Sequence, residues 1–193
     1  MMSLKVCILS SLFILSVASF AQNTAPSTAV DLDFVRRQFG ATCRIEGDTV
    51  NAMVGDLDGD GVEDAVIVAH CKNPLIDESE HSFKVLDPFN AFYGYSDPKV
   101  TSQFSSEDDP KSRGRVLLII QGTSAEGWRA ATPKAKFVII NLPFKDIGVK
   151  KLTLKKKPVM AIFAEESGGE QTNSALFWDG KKYRYQPLGS GLE

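Results

Sequence analysis

Histidine is nearly absent from this chain: two in 193 residues, His70 and His81. No histidine follows residue 81, so a Ser-Asp-His triad that places its histidine near the C-terminus has no base. No H-E-x-x-H pair and no phosphate-cradling glycine loop is present. Net charge is also small, −2 at pH 7, with 22 basic and 24 acidic residues intermixed. That balance argues against the strong field with which proteins hold nucleic acid or an anionic membrane. No fixed-period repeat occurs, and no long apolar run follows residue 20. What remains is an ordinary globular composition, 43% hydrophobic and 24% charged, at a length that suits one domain.

Cysteine is scarce too, with three residues: Cys7, Cys43 and Cys71. The first lies in "MMSLKVCILSSLFILSVASFAQ", where Lys5 precedes an apolar run from Val6 to Phe20 and small residues Ser19 and Ala21 close it. This is the pattern of a secretory signal peptide over 1–21. The product is then expected to start near Gln22, to be secreted or periplasmic, and to begin with a flexible segment, 22–29. Cys43 and Cys71 remain. Export permits a disulfide between them, worth about 3–4 kcal/mol in the chain-entropy model; two buried free thiols are the alternative. Two isolated cysteines lack the paired spacing of a zinc site.

Residues 30–193 read as a single domain with a long insertion at about 72–114. "VDLDFVRRQFG" predicts a short helix, capped by Asp31 or Asp33 and closed by Gly40, with Phe34, Val35 and Phe39 inward. Downstream the period changes. "TVNAMVGD", "DAVIVAHC", "RVLLIIQG", "KFVIINL" and "PVMAIFAEE" predict strands. "VKKLTLKKK" alternates, which suits a lysine-studded edge. "ALFWDGKKYRYQ" predicts a hairpin around a type I′ Asp179-Gly180 turn. The insertion carries Phe83, Phe89, Phe92, Tyr93, Tyr95 and Phe104, for packing or for a ligand. The expected fold is mainly β, α+β at the margin: a curved antiparallel sheet or sandwich with one short N-terminal helix.

One stretch stands out, "GDLDGDGVEDAVIV" at 55–68. Counted from Asp56, carboxylates fall at positions 1, 3, 5 and 9: Asp56, Asp58, Asp60 and Asp64. Gly61 sits at position 6, and Val62 at position 7 offers its backbone carbonyl. Oxygens at alternate positions of a tight loop suit calcium, a hard cation taking six to eight of them. An EF-hand needs a glutamate at position 12 and helices on both sides. Position 12 here is Ile67, inside a predicted strand. The residues resemble instead the D-x-D-x-D-G-x-x-D calcium loop of FG-GAP and VCBS-type repeats, matched at Asp56, Asp58, Asp60, Gly61 and Asp64, in a single copy over about residues 50–70. The resemblance implies calcium binding in a β-loop-β setting. Glu63, at position 8, is expected to face solvent.

A second stretch, "RVLLIIQGTSAEGW" at 115–128, is similar to the first strand and oxyanion loop of α/β-hydrolases. No G-x-S-x-G elbow accompanies it. The expectation is therefore an exported, non-catalytic binding or scaffold module with one structural calcium and a protein or carbohydrate ligand. A hydrolase using Ser124, or a carboxylate near the aromatic insertion, is the alternative. Glu165, Glu166 and Glu170 are expected in a solvated loop.

Overall fold

The computed structural model describes residues 27–94, 114–154, 156–167 and 172–189. The expected signal peptide at 1–21, the start of the flexible segment, Tyr95, Phe104 and Glu170 lie outside the described residues.

Among the described residues the first element is β1 (Ala29–Asp31), so Ala29 belongs to a strand and not to a flexible lead. Helix α1 (Leu32–Phe39) follows at once. Asp31 caps it, its carboxylate accepting the Phe34 N–H at 2.7 Å. Val35 and Phe39 are its buried residues, four apart on one face. Gly40 ends it, donating its N–H to the Arg36 carbonyl. Next come β2 (Cys43–Arg44), β3 (Thr49–Asn51), β4 (Met53–Gly55) and β5 (Asp64–Cys71). The predicted strand over 49–56 is thus two: β3 pairs with β1, and β4 pairs with β5.

Two short helices, α2 (Pro74–Asp77) and α3 (Pro88–Phe92), flank β6 (Lys84–Leu86). Proline opens each, after Asn73 and Asp87 caps. Sequence periodicity misses them because each spans barely a turn. Then follow β7 (Arg115–Gln121), a 3-10 turn at Gly127–Arg129, and β8 (Ala135–Ile139). The last strands are β9 (Phe144–Leu154), β10 (Lys157–Glu166), β11 (Asn173–Trp178) and β12 (Tyr183–Gly189).

The fold is mainly β. One sheet has the order β2-β5-β7-β8-β6, with β4 also on β5. Its pairs are antiparallel except β6 with β8, which run parallel. So the stretch after Cys71 contributes an edge strand as well as covering the core. A second, antiparallel sheet has the order β12-β11-β10-β9. The lysine-bearing β9 is its edge.

The central strands explain why their sequences are continuously apolar. Successive side chains point to opposite faces, and here both faces are covered. Ala65, Ile67, Ala69, Val116, Leu118, Ile120 and Val138 join Val35 and Phe39 of α1 in one apolar layer. Val66, Leu117, Ile119, Phe137 and Ile139 meet Ile162, Ala164, Leu176 and Tyr183 of the second sheet in another. Each fully buried branched or aromatic residue contributes about 1.5–3 kcal/mol. The hairpin between β11 and β12 pairs Trp178 with Tyr183, leaving residues 179–182 in the loop. Gly180 has positive φ (95°), and Asp179 does not. That corrects the expected two-residue type I′ turn to a four-residue loop in which Gly180 alone is left-handed.

Candidate metal centre

The acidic loop, 56–63, connects two antiparallel strands, with Gly55 opposite Asp64. Its first carboxylate organises it. Asp56 Oδ1 accepts the N–H groups of Gly59 (2.8 Å) and Asp60 (3.0 Å), and Oδ2 accepts that of Gly61 (2.9 Å). Wrapping backbone donors this tightly needs left-handed residues, supplied by Gly59 and Gly61 (φ 79° and 84°). Leu57 pins the loop by burying its side chain in the layer between the sheets.

Asp64 closes the loop from below. It is fully buried, with one carboxylate oxygen accepting the Leu57 N–H and the other the Gly122 N–H, both at 2.8 Å. Burial pushes its carboxyl up to about 6; the two N–H donors oppose that rise, and the nearby Asp58 and Asp60 charges add to it.

Of the four predicted side-chain ligands, the fold brings three together. Asp56, Asp58 and Asp64 each place an oxygen within 4.8 Å of the others. Asp60 lies outside this trio. Its carboxylate accepts the Val62 N–H at 2.9 Å and faces Lys134. Val62, expected to offer its carbonyl, is tied into the loop by that N–H. Hard oxygen donors around a buried carboxylate are a donor set that fits calcium.

Sequence spacing missed a cation. Lys134 Nζ bridges Asp58 Oδ2 at 2.8 Å and Asp60 Oδ2 at 2.6 Å. The hydrogen bond to Lys134 holds the Asp60 carboxyl below its ordinary value, and the two aspartates raise the Lys134 ammonium above its own. Lys134 comes from the segment before β8, and only the tertiary fold delivers it. Its N–H to the Gln121 carbonyl (3.0 Å) fixes that approach.

Glu63 is exposed, as expected, and is also held: its Oε1 accepts Trp128 Nε1 at 3.0 Å and Arg129 NH1 at 3.2 Å. Its backbone carbonyl lies so close to Gly122 that a Cβ there would come within 2.3 Å of it. The 115–128 stretch is therefore the seat of the acidic loop. Ser124 is exposed, and among the described residues its hydroxyl only accepts the Glu126 N–H, at 3.4 Å. His81 Nδ1 is engaged elsewhere, against the Arg37 carbonyl at 3.2 Å. Glu166, expected in a solvated loop, accepts the Tyr185 hydroxyl at 2.6 Å, and Glu165 pairs with Lys145.

Behind the loop, Cys43 and Cys71 are directly opposed on β2 and β5 and joined by a disulfide. The 28-residue separation encloses β3, β4 and the whole loop. No helix among the described residues is long and apolar enough to cross a membrane. No family model, curated protein or solved structure matches the chain.

Proposed function

We propose that the chain is an exported, non-catalytic binding or scaffold module whose acidic loop holds one structural calcium. The observation that carries this reading is the convergence of Asp56, Asp58 and Asp64, with Asp64 buried and its orientation fixed by two backbone donors. Asp56, Asp58 and Asp64 would hold the ion, with Asp60 joining them if Lys134 yields it. The ion would neutralise a cluster that one lysine offsets only in part. The resemblance to the FG-GAP and VCBS-type loop points the same way, and the disulfide around the loop agrees with an oxidising, exported setting.

The test is thermal melting of the full chain in EDTA and in excess calcium. At a hundredfold excess over Kd, binding to the folded state adds about 2.7 kcal/mol. In a domain of this size that raises Tm by about 5–10 °C. Asp58→Ala should remove the response, and Asp179→Ala, in the distant hairpin, should keep it. A melting curve indifferent to calcium in the wild-type chain would overturn the reading.

A further inference from the structure

Phe89, Phe92 and Tyr93 fall at i, i+3 and i+4, so they share one face of α3 and its C-cap. That face lies on Tyr185 of β12. The four rings pack around a square, with neighbouring centroids 5.1–5.2 Å apart. Phe89 is half-buried and Tyr185 buried, but Phe92 and Tyr93 stay 49% and 56% exposed. Glu166 stands beside the rings. Its Oε1 accepts the Tyr185 hydroxyl at 2.6 Å, and its Oε2 accepts the Thr172 hydroxyl at 3.2 Å. Two neutral hydroxyls leave its charge uncancelled, and lone pairs remain on both oxygens. Among the described residues, no cation pairs with Glu166 or sits over these rings. The neighbouring cations are engaged: Lys145 pairs with Glu165, and Arg184, next to Tyr185 on β12, pairs with Asp179. The patch is therefore net negative, and its ring faces attract cations as well.

Elsewhere the molecule joins the same parts to a cation of its own. Arg129 stacks its guanidinium over the Trp128 ring, 4.1 Å from the centroid, and donates to Glu63 at 3.2 Å. Ring, carboxylate and guanidinium form one unit there. We propose that the α3 patch docks an arginine side chain of a partner protein, stacked on the exposed rings and paired with Glu166. Rings in mutual contact enclose no cage for a round ammonium, whereas a flat guanidinium stacks on an open ring face and bridges to a carboxylate. An open face also covers too little of a free small molecule, so the arginine belongs to a larger partner whose neighbouring surface excludes water. The proposal gives the binding module a partner chemistry and does not rest on the metal.

An NMR titration of the protein with the capped peptide Gly-Arg-Gly tests it. The titration is run in EDTA, so its outcome is separate from that of the calcium reading. The ring protons of Phe92 and Tyr93 should shift, and binding should weaken as salt is added. A peptide with lysine in place of arginine should bind about threefold more weakly, and one with citrulline, flat but neutral, should leave the rings unmoved. Phe92→Ala and Glu166→Gln, each confirmed folded by its melting curve, should each weaken binding about threefold. Glu166→Gln should also remove most of the salt dependence. Rings that do not respond to the arginine peptide, or respond equally to the citrulline peptide, overturn the proposal. Tetramethylammonium binding as tightly as the arginine peptide overturns the stacked guanidinium in favour of a caged ammonium. Sedimentation that shows self-association, abolished by Phe92→Ala, overturns the separate partner by placing the arginine on a second copy of this chain.

Discussion

Two loops in this molecule join antiparallel strands through an Asp-Gly-containing turn, and they balance their charge in opposite ways. In the loop 179–182, Asp179 accepts the N–H groups of Lys181 and Lys182, both at 2.9 Å, and pairs with Arg184. Every partner lies within five residues, so the loop neutralises itself. In the loop 56–63, Asp56 gathers local N–H groups, but the charges of Asp58 and Asp60 are met from Lys134, more than seventy positions away. The first loop is a finished turn. The second depends on the rest of the fold for its countercharge.

Four experiments sharpen that contrast, from the largest expected effect to the smallest. Only the acidic loop has a covalent clasp. Replacing Cys43 and Cys71 by serine should cost about 3–4 kcal/mol in urea unfolding, against the disulfide-bonded chain. An unchanged midpoint would mean that the clasp constrains little. Asp64→Ala in EDTA should cost about 3 kcal/mol, because Leu57 and Gly122 would keep buried N–H groups with no acceptor. Asp179→Ala should cost only about 1 kcal/mol, since water reaches the N–H groups it frees. If the two alanine variants proved equal, burial would not be what separates the loops. Lys134→Gln should change stability in EDTA by less than about 1 kcal/mol, because Lys134 is half-exposed and glutamine can still donate a hydrogen bond to the enclosed Asp58 carboxylate.

Acid offers a related check. The hydrogen bond from Arg184 depresses the Asp179 carboxyl to about 2. A depressed folded value contributes stability that is present above the unfolded value, near 4, and lost as pH falls toward 2. Arg184→Gln should flatten the stability profile in that window, while Lys134→Gln should leave this contribution in place.

The sequence made the architecture readable wherever neighbours in the chain carry the information. Asp31, Val35, Phe39 and Gly40 announce α1 by capping and spacing. The unbroken runs of β5, β7 and β8 announce strands covered on both faces. The aspartate spacing announces a loop that turns oxygens inward. What stayed hidden depends on distance along the chain. Glu63 is exposed as its position suggests, but its partners Trp128 and Arg129 lie sixty-five and sixty-six positions later. Lys134 has no local reason to be the countercharge of Asp58. The break between β3 and β4 is set by two different partners, β1 and β5, which compete for one apparently continuous strand. Gly122 ends a strand, which suits an oxyanion loop and a seat for another segment alike. The closeness of the Glu63 carbonyl is what only the fold adds.

The disulfide between β2 and β5 has a consequence for the chain's response to proteases. Exposed turns rich in aspartate and glycine are the places where proteases nick a folded chain. A cut between Gly59 and Asp60 would leave Cys43 on one fragment and Cys71 on the other, still bonded. Such a nicked molecule would stay in one piece under non-reducing conditions, heavier only by the water of hydrolysis, and fall into two pieces when a reductant is added.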